Sequence, residues 1–187
     1  MENDSKTVRI KVSPDVARIV GKGAPRELQL TAARGALPLS GRDLVTVLFF
    51  LCHRGDAELR SQALATGRTL PASLLAPVLH DPGVHPQLLD FIARQRLAEV
   101  AVMEPLLTNP AVTDATLTYV AGHAPGEVLS LLARNDRRLA AVPQIADALL
   151  ANSLAGLELK RNLGWQEPPA AGGSRDGVAT ELAEGAE

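Results

Sequence analysis

Large aliphatic residues recur along this chain with small or apolar residues four and five positions later. The sets are Leu28 with Ala32 and Ala33, Leu59 with Ala63 and Leu64, Leu88 with Ile92 and Ala93, Leu117 with Ala121 and Gly122, and Ile145 with Leu149 and Leu150. Positions i, i+4 and i+5 lie along one side of a helix, so each set predicts a buried helical stripe. The anchors are 31, 29, 29 and 28 residues apart, which predicts an internal repeat. A second apolar pair follows each of the first four anchors: Val47-Leu48, Val78-Leu79, Leu106-Leu107 and Leu131-Leu132. Two short helices therefore fit in each unit.

Punctuation agrees with that register. Pro25, Pro86 and Pro143 precede or open three anchor helices, where a missing N–H costs nothing. Asp56 and Thr113 stand where N-caps belong for two more, and Ser40-Gly41-Arg42-Asp43 reads as a capping box before a second helix. Asp81-Pro82-Gly83, Asn109-Pro110 and Asn135-Asp136 are expected to end second helices, and Gly35, Gly67 and Gly122 to follow first helices as left-handed caps. Leu44 to Leu51 is apolar nearly all round. Its β-branched and aromatic content also suits a central strand, but the capping box and the register favour a helix buried on most sides.

Composition narrows the class. Hydrophobic content is 46% with only 3% aromatic, dominated by Leu and Ala, which favours helix over sheet. One cysteine, Cys52, excludes an internal disulfide and a cysteine-based zinc cage. The polar start Met1 to Lys6 has no apolar stretch behind it, and no run approaches the length of a membrane span. A soluble, cytoplasmic chain is the expectation. The formal charge of −2 argues against a general polyanion binder while leaving room for a local basic patch.

The segment Asp56-Ala57-Glu58-Leu59-Arg60-Ser61-Gln62-Ala63-Leu64 resembles the short bacterial HEAT-like (Armadillo-type) repeats, in which an Asp opens a helix, an aliphatic-Arg pair follows, and small apolar residues come a turn later. Pro25 to Ala33 is a weaker copy with Gln29 in place of the Arg, and the later units keep only the aliphatic spacing. The resemblance spans roughly residues 24 to 163 and implies a fold rather than an activity. It implies an all-α right-handed solenoid of about five helical hairpins, mostly used by scaffolds and adaptors. One metal-dependent hydroxylase class of this family uses paired His-Glu motifs; here the pairs read His53-Arg54, His80-Asp81, His85-Pro86 and His123-Ala124. Nothing carries over a bilin-lyase or DNA-glycosylase site.

The ends differ from the middle. Residues 7–12 alternate apolar and polar and are expected to form a half-buried strand, followed by a short helix from Pro14 to about Val20. A lone strand has no ladder of its own. It is expected to lie as an arm across the first unit, or else to pair with a partner's strand. The divisions are an N-terminal arm (1–23), a repeat domain (24–165) that Trp165 closes, and an acidic tail (166–187) expected to be disordered. That tail holds Glu167, Asp176, Glu181, Glu184 and Glu187 against Arg175, a net of −4, leaving +2 on the remainder.

No reactive constellation emerges. Cys52 beside His53 reads as a small buried hydrophobe, because a nucleophile needs a base placed by folding. His80, Asp81 and His85 lack a fourth zinc ligand and read as turn and capping residues. Gly21-Lys22-Gly23 lacks the spacing of a phosphate-binding loop. Arginine is the better lead: Arg94 and Arg96 are expected to end one helix, and Arg134, Arg137 and Arg138 another, so that stacking gathers them into a patch for carboxylates or phosphates. Helix-dipole complementation is the plainer reading, and the patch could also hold the acidic tail. The expected function is a non-enzymatic interaction scaffold or adaptor without cofactor or metal. Its partner would be a regulatory or structural protein, such as a small GTPase or signalling module. The alternatives are nucleic-acid binding along an Arg-rich edge and a HEAT-like enzyme or lyase subunit.

Overall fold

A computed structural model describes residues 10–164. They form twelve helices and no strand. The helices are α1 (Pro14–Val20), α2 (Arg26–Ala33), α3 (Gly41–Arg54), α4 (Ala57–Thr69), α5 (Ala72–Leu79), α6 (Pro86–Gln95), α7 (Val100–Thr108), α8 (Asp114–His123), α9 (Gly126–Ala133), α10 (Asp136–Ala141), α11 (Pro143–Ala151) and α12 (Leu157–Asn162). Among the described residues, no helix is long and apolar enough to cross a membrane.

The anchors fall in α2, α4, α6, α8 and α11, and the second pairs in α3, α5, α7 and α9. The anchor helices pack in series, α2 on α4, α4 on α6, α6 on α8 and α8 on α11. The second helices do the same, α3 on α5, α5 on α7 and α7 on α9. One apolar cluster runs from Val16 to Ala155. Leu88, Leu117 and Ile145 are at most 1% exposed, and burying such a side chain contributes about 1.5–3 kcal/mol. Leu28 is only partly buried, because α2 begins its series and has an anchor-helix neighbour on one side alone.

The caps form where the sequence places them. Side-chain oxygens of Asp56 and Thr113 accept from the amides of Leu59 and Thr116, at 3.0 and 3.2 Å. Ser40 Oγ accepts from the Asp43 amide at 3.1 Å and donates to its carboxylate at 2.9 Å. The apolar run Leu44–Leu51 is helical within α3 and buried throughout. One position ahead of each second pair stand Thr46, Pro77, Pro105 and Ser130. Pro77 and Pro105 have no N–H to give the preceding turn. Thr46 and Ser130 hydroxyls bond the carbonyls four residues back, at 2.7 and 2.9 Å. All four are residue types that weaken or bend a regular helical ladder, and they share one register position.

Several expectations need correction. Ile10, Lys11 and Val12 form no strand, since among the described residues no second strand lies beside them to supply a ladder. Ile10 and Val12 instead lie partly buried against the core, while residues 7–9 are outside the described residues. Gly35 has φ +71 and follows α2 as expected, but Gly67 and Gly122 lie inside α4 and α8. Gly67 is buried against α6, where an added Cβ would meet the Phe91 ring at 3.4 Å. Arg134 caps α9, but Arg137 and Arg138 lie beyond that end, in α10, an extra short helix capped by Asn135. Trp165 and the acidic tail lie outside the described residues.

Side chains join successive units by reaching carbonyls at the ends of the preceding helices, which have no partner within their own helix. Thr66 donates to Ala33 O at 2.6 Å, and Arg96 Nη1 to Leu70 O at 2.6 Å. Asn109 Nδ2 donates to Leu79 O and Asp81 O at 2.7 and 3.0 Å, while its Oδ1 accepts from Ala111 N at 2.8 Å. Asn152 repeats the arrangement with Ala121 O, Ala124 O and Leu154 N. Both amides are at most 5% exposed. Asn109→Ala strands three backbone groups, so urea unfolding should show a loss of about 3 kcal/mol. Asn109→Asp should cost at least as much by facing a carboxylate with two carbonyl oxygens. Leu157→Ala at an exposed site should change stability by less than about 0.5 kcal/mol.

Candidate binding groove

The C-terminal half of α3 and the anchor helices α4, α6 and α8 enclose an open groove of about 1100 Å³. Its floor comes from the buried part of α3. Phe49 and Phe50 stand edge to face, with ring centroids 5.7 Å apart, and Phe91 of α6 meets Phe49 at 6.2 Å. The groove walls carry Arg54, Arg60 and Arg94, opposed by a single carboxylate, Asp90. Three guanidinium groups against one carboxylate leave the groove cationic.

Each charge has a defined setting. Arg54 lies over the Phe50 ring at 5.0 Å, one helical turn along α3. Arg60 Nε donates to Cys52 O at 3.0 Å and so closes the C-terminus of α3. Neither forms an ion pair with a carboxylate among the described residues. Arg94 Nε donates to Asp90 at 2.8 Å and its guanidinium stacks over Tyr119 at 3.9 Å. The Asp90 hydrogen bond is the main reason the Arg94 pKa is raised. Asp90 also accepts from Thr116 Oγ1 at 3.0 Å, so α8 and α6 share its two oxygens. His53 and His123 end α3 and α8 alike. Each has Nδ1 2.8 Å from the carbonyl four residues back and its ring against the aromatic there, Phe49 or Tyr119.

The candidate arginines separate. Arg94 lines the groove. Arg96 does not: it is 7% exposed, bonded to Leu70 O and paired with Glu99, so it is a joint between units and not a contact surface. Arg138 donates to Asp114 and to Val112 O, at 3.0 and 2.6 Å. Arg137 is exposed beside it on a separate hollow of about 290 Å³, and Arg134 is exposed at the end of α9. Arg54 and Arg60 escaped the sequence reading. Their signals were an arginine four residues after Phe50 and the Leu59-Arg60 pair already present in the repeat motif.

The remaining candidates take ordinary roles. Cys52 is buried in the groove wall, and burial pushes its thiol up to about 11 despite the nearby Arg60 charge. A thiol held protonated is a poor nucleophile. Asp81 accepts from the Gly83 amide at 2.8 Å and pairs with Arg42 at 2.8 Å. Gly21 caps the end of α1. Among the described residues, no three His, Cys, Asp or Glu side chains gather closely enough to hold a metal ion. No family model, curated protein or solved structure matches this chain, so the likeness to HEAT-like repeats rests on its own residues.

His85 supplies a pH-dependent cap. Its Nδ1 accepts from the Gln87 amide at 3.3 Å and opens α6. Burial lowers its pKa below the usual 6.5. The unfolded chain therefore takes up this proton first. The His85 contribution is complete above the ordinary imidazole pKa and is lost as pH falls through the lower folded value. Urea midpoints should drop between about pH 7.5 and pH 5.5, and His85→Asn, a cap that does not titrate, should make that drop smaller. An identical drop in the variant would remove His85 as its source.

Proposed function

We propose that this chain is a non-enzymatic protein-interaction module, built as a HEAT-like solenoid of about five stacked helical hairpins, whose partner binds in the α3/α4/α6/α8 groove. The serial packing of anchor helices on anchor helices and of second helices on second helices supports the solenoid reading. Short helices with one apolar side need neighbours to bury it, and a row of such units presents an extended, rigid surface.

The observation that carries the functional reading is the chemistry of the groove. Arg54 and Arg60 are held in place by a ring and a carbonyl, yet have no carboxylate partner among the described residues. Arg54 lies on the Phe50 ring, and Arg60 lines the same groove as Phe49, Phe50 and Phe91. Such a setting recognises carboxylates together with a large apolar side chain. The one cysteine there is buried with a raised pKa, and the one carboxylate already bonds Thr116 and Arg94. Recognition suits these groups better than bond making. A regulatory or structural protein carrying an acidic segment is the fitting partner.

Affinity capture from the native cell should recover a stoichiometric protein with the wild-type chain. Arg54→Glu reverses a groove charge whose described contact is a single ring, and should reduce recovery by about tenfold. Recovery of nucleic acid without protein, or protein recovery indifferent to Arg54→Glu, would overturn the proposal.

A further inference from the structure

We propose that residues 176–187 of this same chain occupy the groove in cis and must leave before a protein partner enters. The inference uses the groove identified above and adds an occupant to it. Residues 176–187 carry Asp176, Glu181, Glu184 and Glu187 with no cation, and their large apolar residues are Val178 and Leu182, four apart. The groove offers the complement: Arg54, Arg60 and Arg94 around Phe49, Phe50 and Phe91. The acidic segment and the cationic groove therefore match in charge and in apolar content.

Reach permits the contact. Seventeen residue steps lead from Gly164 to Glu181, and an extended chain of that length spans up to about 55–60 Å. From α11 the packed series runs through α8, α6 and α4 to α3, four steps of about 8–10 Å each. The groove is thus within range of the end of α12. Exposed ion pairs contribute only about 0–1 kcal/mol each, so a detached segment would bind weakly. Tethering changes the balance. At an effective concentration of about 1 mM, a segment with an intrinsic Kd of about 0.1 mM is docked roughly ten times as often as it is free.

The test keeps the full chain and places spin labels on Ala115→Cys, at the exposed groove rim on α8, and on Ala183→Cys. The buried Cys52 stays native. Pulsed dipolar spectroscopy in low salt should show a dominant short-distance population. It should shrink by about tenfold at ~0.5 M salt, where charges are screened beyond about 4 Å. Arg54→Gln should reduce it, and so should Glu181→Gln with Glu184→Gln and Glu187→Gln, which leaves the described helices untouched. A synthetic peptide of residues 174–187 should bind that neutralised full chain about tenfold more tightly than the wild-type chain. Absence of the short-distance population, or its persistence through high salt and the tail substitutions, would overturn the proposal. If the tail result fails while partner capture still falls with Arg54→Glu, the groove reading stands and only its occupant in cis is lost.

Discussion

The carbonyls at a helix's end need donors, and here the next unit provides them. Thr66 reaches Ala33, Arg96 reaches Leu70, Asn109 reaches Leu79 and Asn152 reaches Ala121. Most of the helices joined this way have only eight to ten residues, too few to be stable alone in water. Their apolar sides are covered only when a neighbour packs on them. The polar joints add direction to that packing, because a buried amide such as Asn109 is satisfied in one relative placement of the two units. Apolar burial supplies the larger energy; the joints select the register.

The groove follows from an irregularity in this plan. α3 has fourteen residues, far longer than α5, α7 or α9 with eight or nine. It packs on α1, α2, α4 and α5 and also meets α6, and its last turns line the groove. Those turns present Phe49, Phe50, His53 and Arg54 at the groove. Arg60, from the first turns of α4, then bonds the carbonyl of Cys52. A structural requirement, closing the end of a long buried helix, therefore fixes one of the recognition cations. Arg94 is held in a comparable way, between Asp90 on its own helix and Tyr119 on α8. Side chains fixed before binding lose less conformational freedom when a ligand arrives.

Local signals were legible in the sequence, and long-range ones were not. The anchors, the caps Asp56 and Thr113, and the helical nature of Leu44–Leu51 rest on spacing within one or two turns, and each falls where expected. Asn109 read only as a helix stop, since its donors find Leu79 and Asp81 some 30 residues away. Arg96 read as a surface cation because sequence position alone does not reveal that α4 ends above it. Gly67 read as a cap, whereas it lies inside α4, packed against Phe91 of α6. The alternation over residues 7–12 is a β pattern, but its described part, Ile10 to Val12, has no strand to pair with among the described residues. For Asn109, Arg96 and Gly67 the deciding neighbour belongs to another unit.

Native-state hydrogen exchange tests the mutual support of neighbouring units most directly. α6 packs on both α4 and α8, whereas α12 contributes no buried residue. The amides of α6 and α8 should exchange slowest, near the limit of global unfolding. Those of α2 should be faster, and those of α12 faster by several orders of magnitude. Equal protection of α12 and α6, or fast exchange in α6 while α2 stays protected, would contradict the account.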